Sequence, residues 1–487
     1  HVRIGGDLAI FKGMMRALFE AEERGEKVLD QDFIAEHTAG LEALRADVMS
    51  VSWADITRIS GVSEEQIRRI AGIYAKSNAT IICYGMGLTQ HQEGSHLVQQ
   101  VASLLLLKGN FGKKGAGIAP IRGHSNVQGD RTVGIDEKPT QAYLDRVRDV
   151  FGFEPPREHG HHVVEAVAAM EEGTAKVFFG MGGNFARAIP DTERSYEAMG
   201  RLNLTVNVTT KLNRGHLVHG KDALILPVVS RSEIIRTTKG EQFVTIEDAM
   251  SNVTPSRGVF EPVSPDVRPE TEIICRVAMA TLPHSKTAWA DYIEDYTLIR
   301  DRIAEVYPEI YTGFSEKMKD PHGFHLDIPP RRRVWKTPNG KANFIVMPGL
   351  EVNDVIEDPA MLRLATIRSH DQYNTTIYSN SDRYRGVYNN RLVIFMNKED
   401  REDRGLENGA VIGLETYSED GRRRYVDGLT ILDYPMPRGA IAGYYPELNP
   451  LLPLDFYDEI SGTPAAKAIP VKVVPSIASA APIRIAG

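Results

Sequence analysis

The stretch "TIICYGMGLTQHQEGSHLVQQVASLLLLKG" at residues 80–109 decides the predicted fold. Its first six residues are mostly apolar and predict a buried strand, in which Cys83 is expected to be a buried structural thiol. Residues 85–94 carry the glycines and polar side chains of a loop, and residues 95–109 are apolar enough for a packed helix. A strand, a glycine loop and a helix in this order are typical of a Rossmann-like unit in an α/β fold.

The same order of elements recurs further along the chain. Residues 175–180 predict a strand, residues 180–191 a loop and residues 192–200 a helix, and two further strands are predicted at 204–208 and 222–228. The segment "YGMG" at 84–87 is echoed by "FGMG" at 179–182, each time at the end of a predicted strand. Because open α/β sheets bind ligands at the carboxyl ends of their strands, both loops are candidate binding sites.

Helices are also predicted near the start of the chain. An apolar stripe predicts a helix over residues 7–23. Ser63 and Gln66 have the spacing of a capping box for a helix that ends near Lys76. The fold class at this end of the chain is therefore α/β with parallel sheets.

The last third of the sequence has a different pattern. From about Leu362 onward, six short strand-like runs are separated by turn residues, and a short helix is predicted around 398–405. The runs are "RLATIRS", "RLVIFMN", "AVIGLETY", "RYVDGLTIL", "GAIAGYY" and "AIPVKVV". We therefore predict a C-terminal six-stranded β-barrel domain.

The length of 487 residues implies more than one domain, since a single core stops growing at roughly 250–300 residues. The predicted division is a partial Rossmann-like domain at 1–124, a second Rossmann-like domain at 125–290 with an inserted segment near 238–265, a connector at 291–345, the barrel domain at 346–475 and a tail at 476–487.

Composition excludes several classes of function. The net charge of −8 argues against a general nucleic-acid or membrane-surface binder, and the longest apolar run is too short to cross a bilayer. Two cysteines, Cys83 and Cys275, cannot form a four-cysteine iron–sulfur or zinc site within this chain. We expect a cytoplasmic location, unless an upstream export signal precedes His1.

Neither glycine loop fits the G-x-G-x-x-G fingerprint of dinucleotide-binding dehydrogenases. Gln90 stands where the third glycine would be, which disfavours an NAD-type dehydrogenase. Glycines still let backbone N–H groups approach a phosphate, and a following helix N-terminus favours an anion. The alternative is that both loops are tight turns that only hold helices against their sheets.

Polar side chains follow four of the predicted strands. Such side chains suit a flat heteroaromatic ring with many donors and acceptors, and two loops suggest two nucleotides or one cofactor with two arms. The alternative for each cluster is an ordinary solvated loop. The clusters are Gln90 to Gln92, Asn184 with Arg187, Thr209, Thr210, Lys211, Asn213 and Arg214, and, in the barrel, Arg368, His370, Gln372 and Asn374.

Arg122 lies in the bare stretch "APIRGHSNVQGDRTVG" at 119–134. A guanidinium is planar and permanently charged, which suits bidentate binding of a carboxylate or phosphate. The alternative is a surface arginine near a helix end.

These motifs, taken in order, resemble the molybdopterin oxidoreductase superfamily, and most of all its formate dehydrogenase alpha subunits and their less characterised relatives. The resemblance extends from about residue 5 to about 473. It rests on "YGMGLTQ", "LKGNFGKKGAGIAPIRGHSNVQG", "GMGGNFARAIPD", "TTKLNRGHLV", "DALILP", "SEIIRTTKGEQFVTIED" and "TIRSHDQYNTT".

The resemblance implies a molybdenum or tungsten ion held by two molybdopterin guanine dinucleotides, with a barrel of double-psi-like type closing over them. It places Arg122 and His124 at the substrate, and Met86, Gly87 and Gln90 near the pterin and metal. The implied dinucleotide-binding residues are Gly182, Gly183, Asn184, Thr209, Thr210, Lys211 and Asn213, together with Arg368, Gln372, Asn374, Asn449 and Lys467.

The implied activity is oxidation of formate to CO2, with electrons leaving through a [4Fe-4S] cluster to an electron-transfer subunit. The family carries its cluster cysteines and its cysteine or selenocysteine metal ligand in an N-terminal region that would precede His1, so we expect a fragment of a longer subunit.

The sequence departs from the family pattern at two places. His124 stands where formate dehydrogenases tend to have Gln, and Asn207 and Val208 stand where an acidic residue near guanine is often found. The alternatives are a family oxidoreductase acting on another small oxyanion and a non-catalytic cofactor-binding or scaffold subunit.

Overall fold

The computed structural model describes residues 1–353, 358–370, 372–376 and 379–477. The predicted tail lies outside the described residues from residue 478 onward. The chain forms two compact units. Unit 1 comprises His1–Pro120, Arg187–Ser195 and Ile328–Gly487, and unit 2 comprises Ile121–Ala186 and Tyr196–Asp327. The domain bounds predicted from the sequence stay predictions.

The N-terminal part of unit 1 is helical, and Asp7–Glu23 is the predicted helix. Its apolar face is buried at Met15 and Phe19 in a cluster with Ile56 and Ile67 from neighbouring helices. The helices are Asp7–Glu23, Gln31–His37, Leu41–Ser50, Trp53–Ser60, Glu64–Lys76, Met86–Thr89, Gly94–Leu107 and Lys398–Asp403, with 3-10 turns at Pro329–Arg332, Arg383–Arg385 and Asn449–Leu451.

The predicted capping box is confirmed at the start of Glu64–Lys76. The Ser63 hydroxyl accepts from the backbone N–H of Gln66, and the Gln66 side chain accepts from the backbone N–H of Ser63. Two otherwise unpaired donors at the helix start are thereby satisfied.

The strand Ile81–Tyr84 is confirmed, but its predicted burial is wrong. Ile81 is 44% exposed and Cys83 is exposed, so the interpretation of Cys83 as a buried thiol is also wrong. The reason is the sheet: among the described residues this strand pairs with one neighbour, Gly117–Pro120, and it runs parallel to it. The apolar composition predicted the strand correctly, but it could not predict its burial, which depends on how many neighbouring strands and helices cover it.

The six-stranded barrel is confirmed, and each of the six predicted runs forms one of its strands. Parallel and antiparallel pairs mix, and the ring closes where Met361 pairs with Lys472. The core inside it is aliphatic and includes Leu364, Ile394 and Leu414. The order around the barrel is Met361–Ile367, Ala440–Tyr444, Val393–Met396, Arg423–Asp433, Val411–Tyr417 and Ile469–Pro475.

The described residues of unit 1 also form three two-stranded pairings outside the barrel. They are Thr38–Ala39 with Ala342–Asn343, Ile81–Tyr84 with Gly117–Pro120, and Tyr457–Asp458 with Thr463–Pro464. The short helix predicted around 398–405 is present at Lys398–Asp403.

Unit 2 contains a parallel three-stranded sheet in the order Val177–Met181, Leu204–Thr209 and Asp222–Pro227, which confirms the strands of the second predicted Rossmann-like region. Its remaining strands are Ile235–Thr237, Gly240–Gln242, Val244–Glu247, Asn252–Ser256 and Phe324–His325.

The helices of unit 2 are Val127–Thr132, Gln141–Phe151, Val163–Glu171, Glu270–Thr281, Trp289–Glu294, Tyr296–Val306, Pro308–Tyr311 and Phe314–Lys317, with a 3-10 turn at Arg214–Leu217. Helices Phe185–Ala188 and Thr192–Gly200 each contain a boundary between the units. In the described part of the chain, no helix is both long enough and apolar enough to cross a membrane.

Candidate functional site

The first glycine loop of unit 1 is more ordered than the sequence predicted. Residues 86–89 form one helical turn, and the N–H of Gln90 closes it on the Met86 carbonyl at 3.1 Å. The Met86 side chain is 39% exposed, and a Cβ added at Gly87 would meet no atom within 4 Å. Open space around this turn means that a ligand can approach its backbone closely.

His91 fixes the loop from its buried side. The ring is 1% exposed; Nδ1 lies 2.9 Å from Nδ2 of Asn353, and Nε2 lies 3.1 Å from the Gly87 carbonyl oxygen. Because Asn353 Nδ2 can only donate, Nδ1 accepts and Nε2–H donates to Gly87. Burial, helped by the positive charges of Lys467 and Arg363, lowers the pKa of His91 to about 4. The imidazole is therefore neutral at physiological pH.

Lys467, from the barrel domain, contacts the same glycine loop. Its backbone N–H donates to the Gln90 carbonyl at 3.1 Å, and its ammonium group donates to the Thr366 carbonyl. Burial and the charge of Arg368 lower the pKa of Lys467 to about 8. Neither Lys467 nor Arg368 has a carboxylate ion-pair partner in the described part of the chain. Two neighbouring cations without a counter-charge favour an anion beside them.

Tyr445 joins the predicted barrel residues to one another. Its hydroxyl donates to Oδ1 of Asn374 at 2.9 Å, its carbonyl accepts from the Gln372 amide, and the Arg368 guanidinium lies 5.3 Å from its ring centre. Arg391 fixes Gln372 by donating to its Oε1 at 2.9 Å. Three predicted residues are therefore held around Tyr445, which was not among the predicted site residues although it is the last residue of the predicted strand "GAIAGYY".

Asn449 is buried and binds the segment 187–189 of the same unit. Its Nδ2 lies within 3.2 Å of the carbonyl oxygens of Arg187, Ala188 and Ile189. Its Oδ1 is buried without a hydrogen-bond partner among the described residues. A buried amide oxygen left unpaired costs roughly 1–3 kcal/mol, which a donor on a bound ligand would recover.

The second glycine loop lies in unit 2, at the carboxyl ends of two parallel strands. The strand Val177–Met181 extends into the predicted loop, after which Gly182 and Gly183 take left-handed φ angles of 68° and 71°. The backbone N–H of Gly182 donates to the Val208 carbonyl at 2.7 Å, and Nδ2 of Asn213 donates to the Gly183 carbonyl at 3.2 Å. Residues predicted from two separate loops are thus brought together here.

Asn184 has an unpaired buried oxygen like that of Asn449. Its Oδ1 has no partner among the described residues, and a Cβ added at Gly215 would lie 2.4 Å from it. Thr209 is used locally, since its hydroxyl donates to the Lys211 carbonyl at 2.9 Å. Thr210 and the Lys211 side chain are exposed, so they remain available to a ligand.

Arg122 and His124 lie on an exposed stretch of unit 2 just before the helix Val127–Thr132. The Arg122 guanidinium donates to Oε1 of Gln128 at 3.2 Å. That partner is a neutral amide, so the charge of Arg122 is not neutralised by it. The guanidinium keeps donors for an anionic ligand.

The described residues contain no group of three or more His, Cys, Asp or Glu side chains that could hold a metal ion. The candidate residues form a cation- and amide-rich surface in unit 1 and, in unit 2, a glycine loop with neighbouring amides and the exposed Arg122. The chemistry of these groups is binding and orientation of charged, heteroaromatic and carboxylate groups.

Comparison with known proteins gives two matching family models. The model for Molybdopterin oxidoreductase matches residues 2–227, and the model for Molydopterin dinucleotide binding domain matches residues 362–470. The first contains both glycine loops, and the second covers most of the barrel.

Similar proteins are found among curated sequences and solved structures. Protein YdeP of Escherichia coli (strain K12) is 46% identical to this chain, and the match covers 98% of this chain and 64% of YdeP. An uncharacterized oxidoreductase of Mycobacterium tuberculosis is 45% identical, and the match covers 98% of this chain and 62% of that protein. Formate dehydrogenase H of Escherichia coli (strain K12) is 25% identical, and the match covers 85% of this chain and 57% of that protein. The chain therefore spans less than two thirds of the length of these relatives.

Among solved structures, acetylene hydratase from Pelobacter acetylenicus matches with a TM-score of 0.65 and 17% identity, over 97% of this chain and 71% of that one. This likeness concerns the fold alone. Taken together with the two family models, the comparisons show that the chain belongs to the molybdopterin oxidoreductase family.

Proposed function

We propose that this chain is the cofactor- and substrate-holding part of a molybdenum or tungsten enzyme that oxidises formate to CO2. The single observation that carries the proposal is the pair of cations Lys467 and Arg368, which lacks a carboxylate partner among the described residues and in which the Lys467 backbone is hydrogen-bonded to Gln90. A protein bears such a cost in free energy where a bound anion offsets it.

The residues fit two molybdopterin guanine dinucleotides in three respects. The cations Lys467 and Arg368 suit a pyrophosphate. The unpaired oxygens of Asn184 and Asn449 suit the N–H donors of a guanine. The left-handed residues Gly182 and Gly183 leave this turn without side-chain bulk, which lets a phosphate group approach the backbone closely.

When bound, the cofactor would supply a metal centre able to accept two electrons. The part of this chain is to bind and orient the substrate. Formate oxidation releases CO2, one proton and two electrons. The Arg122 guanidinium binds the two carboxylate oxygens and fixes the direction of the C–H bond, while a ring nitrogen of His124 accepts the released proton. A [4Fe-4S] cluster would supply the route by which the two electrons reach a partner subunit.

A second candidate is oxidation or reduction of another small oxyanion by the same site. It is favoured by His124, which adds a titratable group beside Arg122 where formate dehydrogenases tend to have Gln. It is also favoured by the identity of 25% to formate dehydrogenase H, well below the 46% to Protein YdeP.

The test is anaerobic turnover by the purified full-length protein with a viologen dye as electron acceptor. We expect one CO2 for every two reduced dye molecules, with formate as the only added reductant. Formate inactivity in a metal-loaded protein, together with dye-linked turnover of another oxyanion, would favour the second candidate. A metal-free protein would favour the scaffold interpretation.

A further inference from the structure

Unit 2 contains a cavity of about 450 Å³ whose lining includes none of the predicted site residues. It is lined by residues of the helices Gln141–Phe151, Glu270–Thr281 and Tyr296–Val306, and by Trp289 and Tyr292. The side chains that line it are predominantly aliphatic and aromatic. They include Val147, Phe151, Ile274, Ile299, Ile303 and Val306.

The aromatic side chains of this cavity are mutually held. Tyr143 and Tyr307 stack with ring centres 5.6 Å apart and planes 20° apart, and Trp289 meets Tyr292 edge-on at 6.2 Å. Trp289 is fixed further by donating from Nε1 to the Ser285 hydroxyl at 3.0 Å. Fixed aromatic walls favour a flat ligand, since rings pack face to face with an offset or edge to face.

The charges at the cavity do not favour an ionic ligand. Two charged side chains line the cavity, Arg302 and Glu270. Arg302 donates to Glu305 at 2.6 Å, so its charge is largely neutralised within its own helix. Burial, together with the charge of Asp130, raises the pKa of the Glu270 carboxyl, which disfavours its charged form. Burial raises the pKa of the Cys275 thiol and of the Tyr292 and Tyr307 hydroxyls, which therefore stay protonated at neutral pH. An uncharged molecule enters such a site with the smallest loss of hydration.

The volume indicates the size of the occupant. Ligand pockets in proteins are typically about 300–1,000 Å³, mostly apolar with a few polar groups. An apolar cavity of roughly 150 Å³ already accepts benzene. A cavity of about 450 Å³ therefore has room for two or three fused rings with small substituents.

We propose that this cavity binds an uncharged, flat aromatic molecule of two or three rings. Met181 lines the cavity and directly precedes Gly182, so the occupant would lie beside the second glycine loop. The proposal concerns a site separate from Arg122, and it does not depend on formate being the substrate.

The test uses 2-naphthol as an uncharged probe and 2-naphthoate as its anionic counterpart, both with the purified full-length protein. Equilibrium dialysis should show saturable binding of one 2-naphthol per chain, with at least tenfold weaker binding of 2-naphthoate. Trp289 serves as a reporter: 2-naphthol should quench its emission. In Trp289→Phe this quenching component should disappear while binding measured by dialysis remains.

A matched pair of variants on one helix locates the site. Ile274→Arg places a cation in the cavity and should abolish binding. Val277→Arg, at a position 37% exposed and outside the cavity lining, should bind normally. If Ile274→Arg does not fold, Ile274→Phe, which fills the cavity, takes its place. Unsaturable uptake, equal binding by the two arginine variants, or preference for 2-naphthoate would overturn the proposal.

Discussion

The backbone N–H of Lys467, on the segment leading into the last barrel strand, donates to the carbonyl of Gln90 across 3.1 Å. This bond links the barrel to the first glycine loop within unit 1. It also sets the Lys467 ammonium, which has no carboxylate partner among the described residues, beside Arg368. The two segments predicted to hold one cofactor are therefore neighbours in the structure, and their shared charge is positive.

Lys467→Met should weaken cofactor retention. A hydrogen bond to a charged group contributes about 1.5–3 kcal/mol, so we expect retention to fall by about tenfold or more on dilution or dialysis. The measurement is guanine and metal per chain after gel filtration. Lys472→Met, an exposed lysine on the adjoining strand, is the control and should retain the cofactor. Equal retention in both variants would contradict an anion-binding role for Lys467.

The same lysine predicts a pH dependence for the cofactor-free protein. The pKa of Lys467 is about 8 in the folded chain and 10.5 ordinarily, so between these values the unfolded chain binds more protons. Stability should therefore rise with pH across pH 8 to 10.5, and this part of the rise should be absent in Lys467→Met. Urea unfolding at several pH values measures both slopes. Identical slopes would show that Lys467 is not desolvated.

His91 predicts a second pH effect on the acid side. Its folded pKa of about 4 lies below the ordinary 6.5, so its stabilising contribution is complete above pH 6.5 and is lost as pH falls toward 4. We expect wild type to lose more stability in this window than His91→Gln. The control, His159→Gln, changes an exposed histidine and should follow wild type. A His91→Gln profile parallel to wild type would contradict a buried neutral imidazole.

The second glycine loop can be tested with two glycine-to-alanine variants that carry the same backbone strain. Gly182 has φ of 68° and Gly173 has φ of 71°, so alanine at either position costs roughly 1 kcal/mol of stability. Only Gly182→Ala places a methyl group beside the backbone that is expected to face a dinucleotide. We expect both variants to unfold at similarly lowered urea concentrations, and only Gly182→Ala to lose bound guanine. Loss in both variants would mean that the effect is structural.

Arg122 is expected to act on the substrate without holding the cofactor. Arg122→Ala should retain metal and lower formate turnover by more than about a hundredfold, because orientation and charge neutralisation are both lost. Arg131→Ala, which removes a nearby exposed arginine paired with Glu137, should stay within about twofold of wild type. Loss of metal with unchanged activity per metal would show that Arg122 is structural.

Local patterns predicted most of the elements, because strand and helix periodicities and turn residues are local properties. The six barrel strands and the capping box at Ser63 follow from them. Exposure at Cys83 could not be predicted, since it depends on how many strands and layers cover Ile81–Tyr84. Local sequence also gave no signal for the His91 contact with Asn353, because these partners are far apart along the chain.

The residues of the candidate site were selected partly from loops and partly from the family resemblance. The structure adds the residues that hold them: His91 behind Gly87, Tyr445 between Gln372 and Asn374, and Arg391 behind Gln372. Of these supporting residues, Tyr445 could have been found from its place at the end of a predicted barrel strand. The others are recognised only from their tertiary contacts.

The most direct test of the account is cofactor analysis of the full-length protein purified without oxygen from cells supplied with molybdate and tungstate. After denaturation we expect about one molybdenum or tungsten and two guanine nucleotides per chain. A folded protein with neither metal nor guanine, from cells in which another molybdopterin enzyme is loaded, would contradict the claim that these loops and the barrel hold a dinucleotide cofactor.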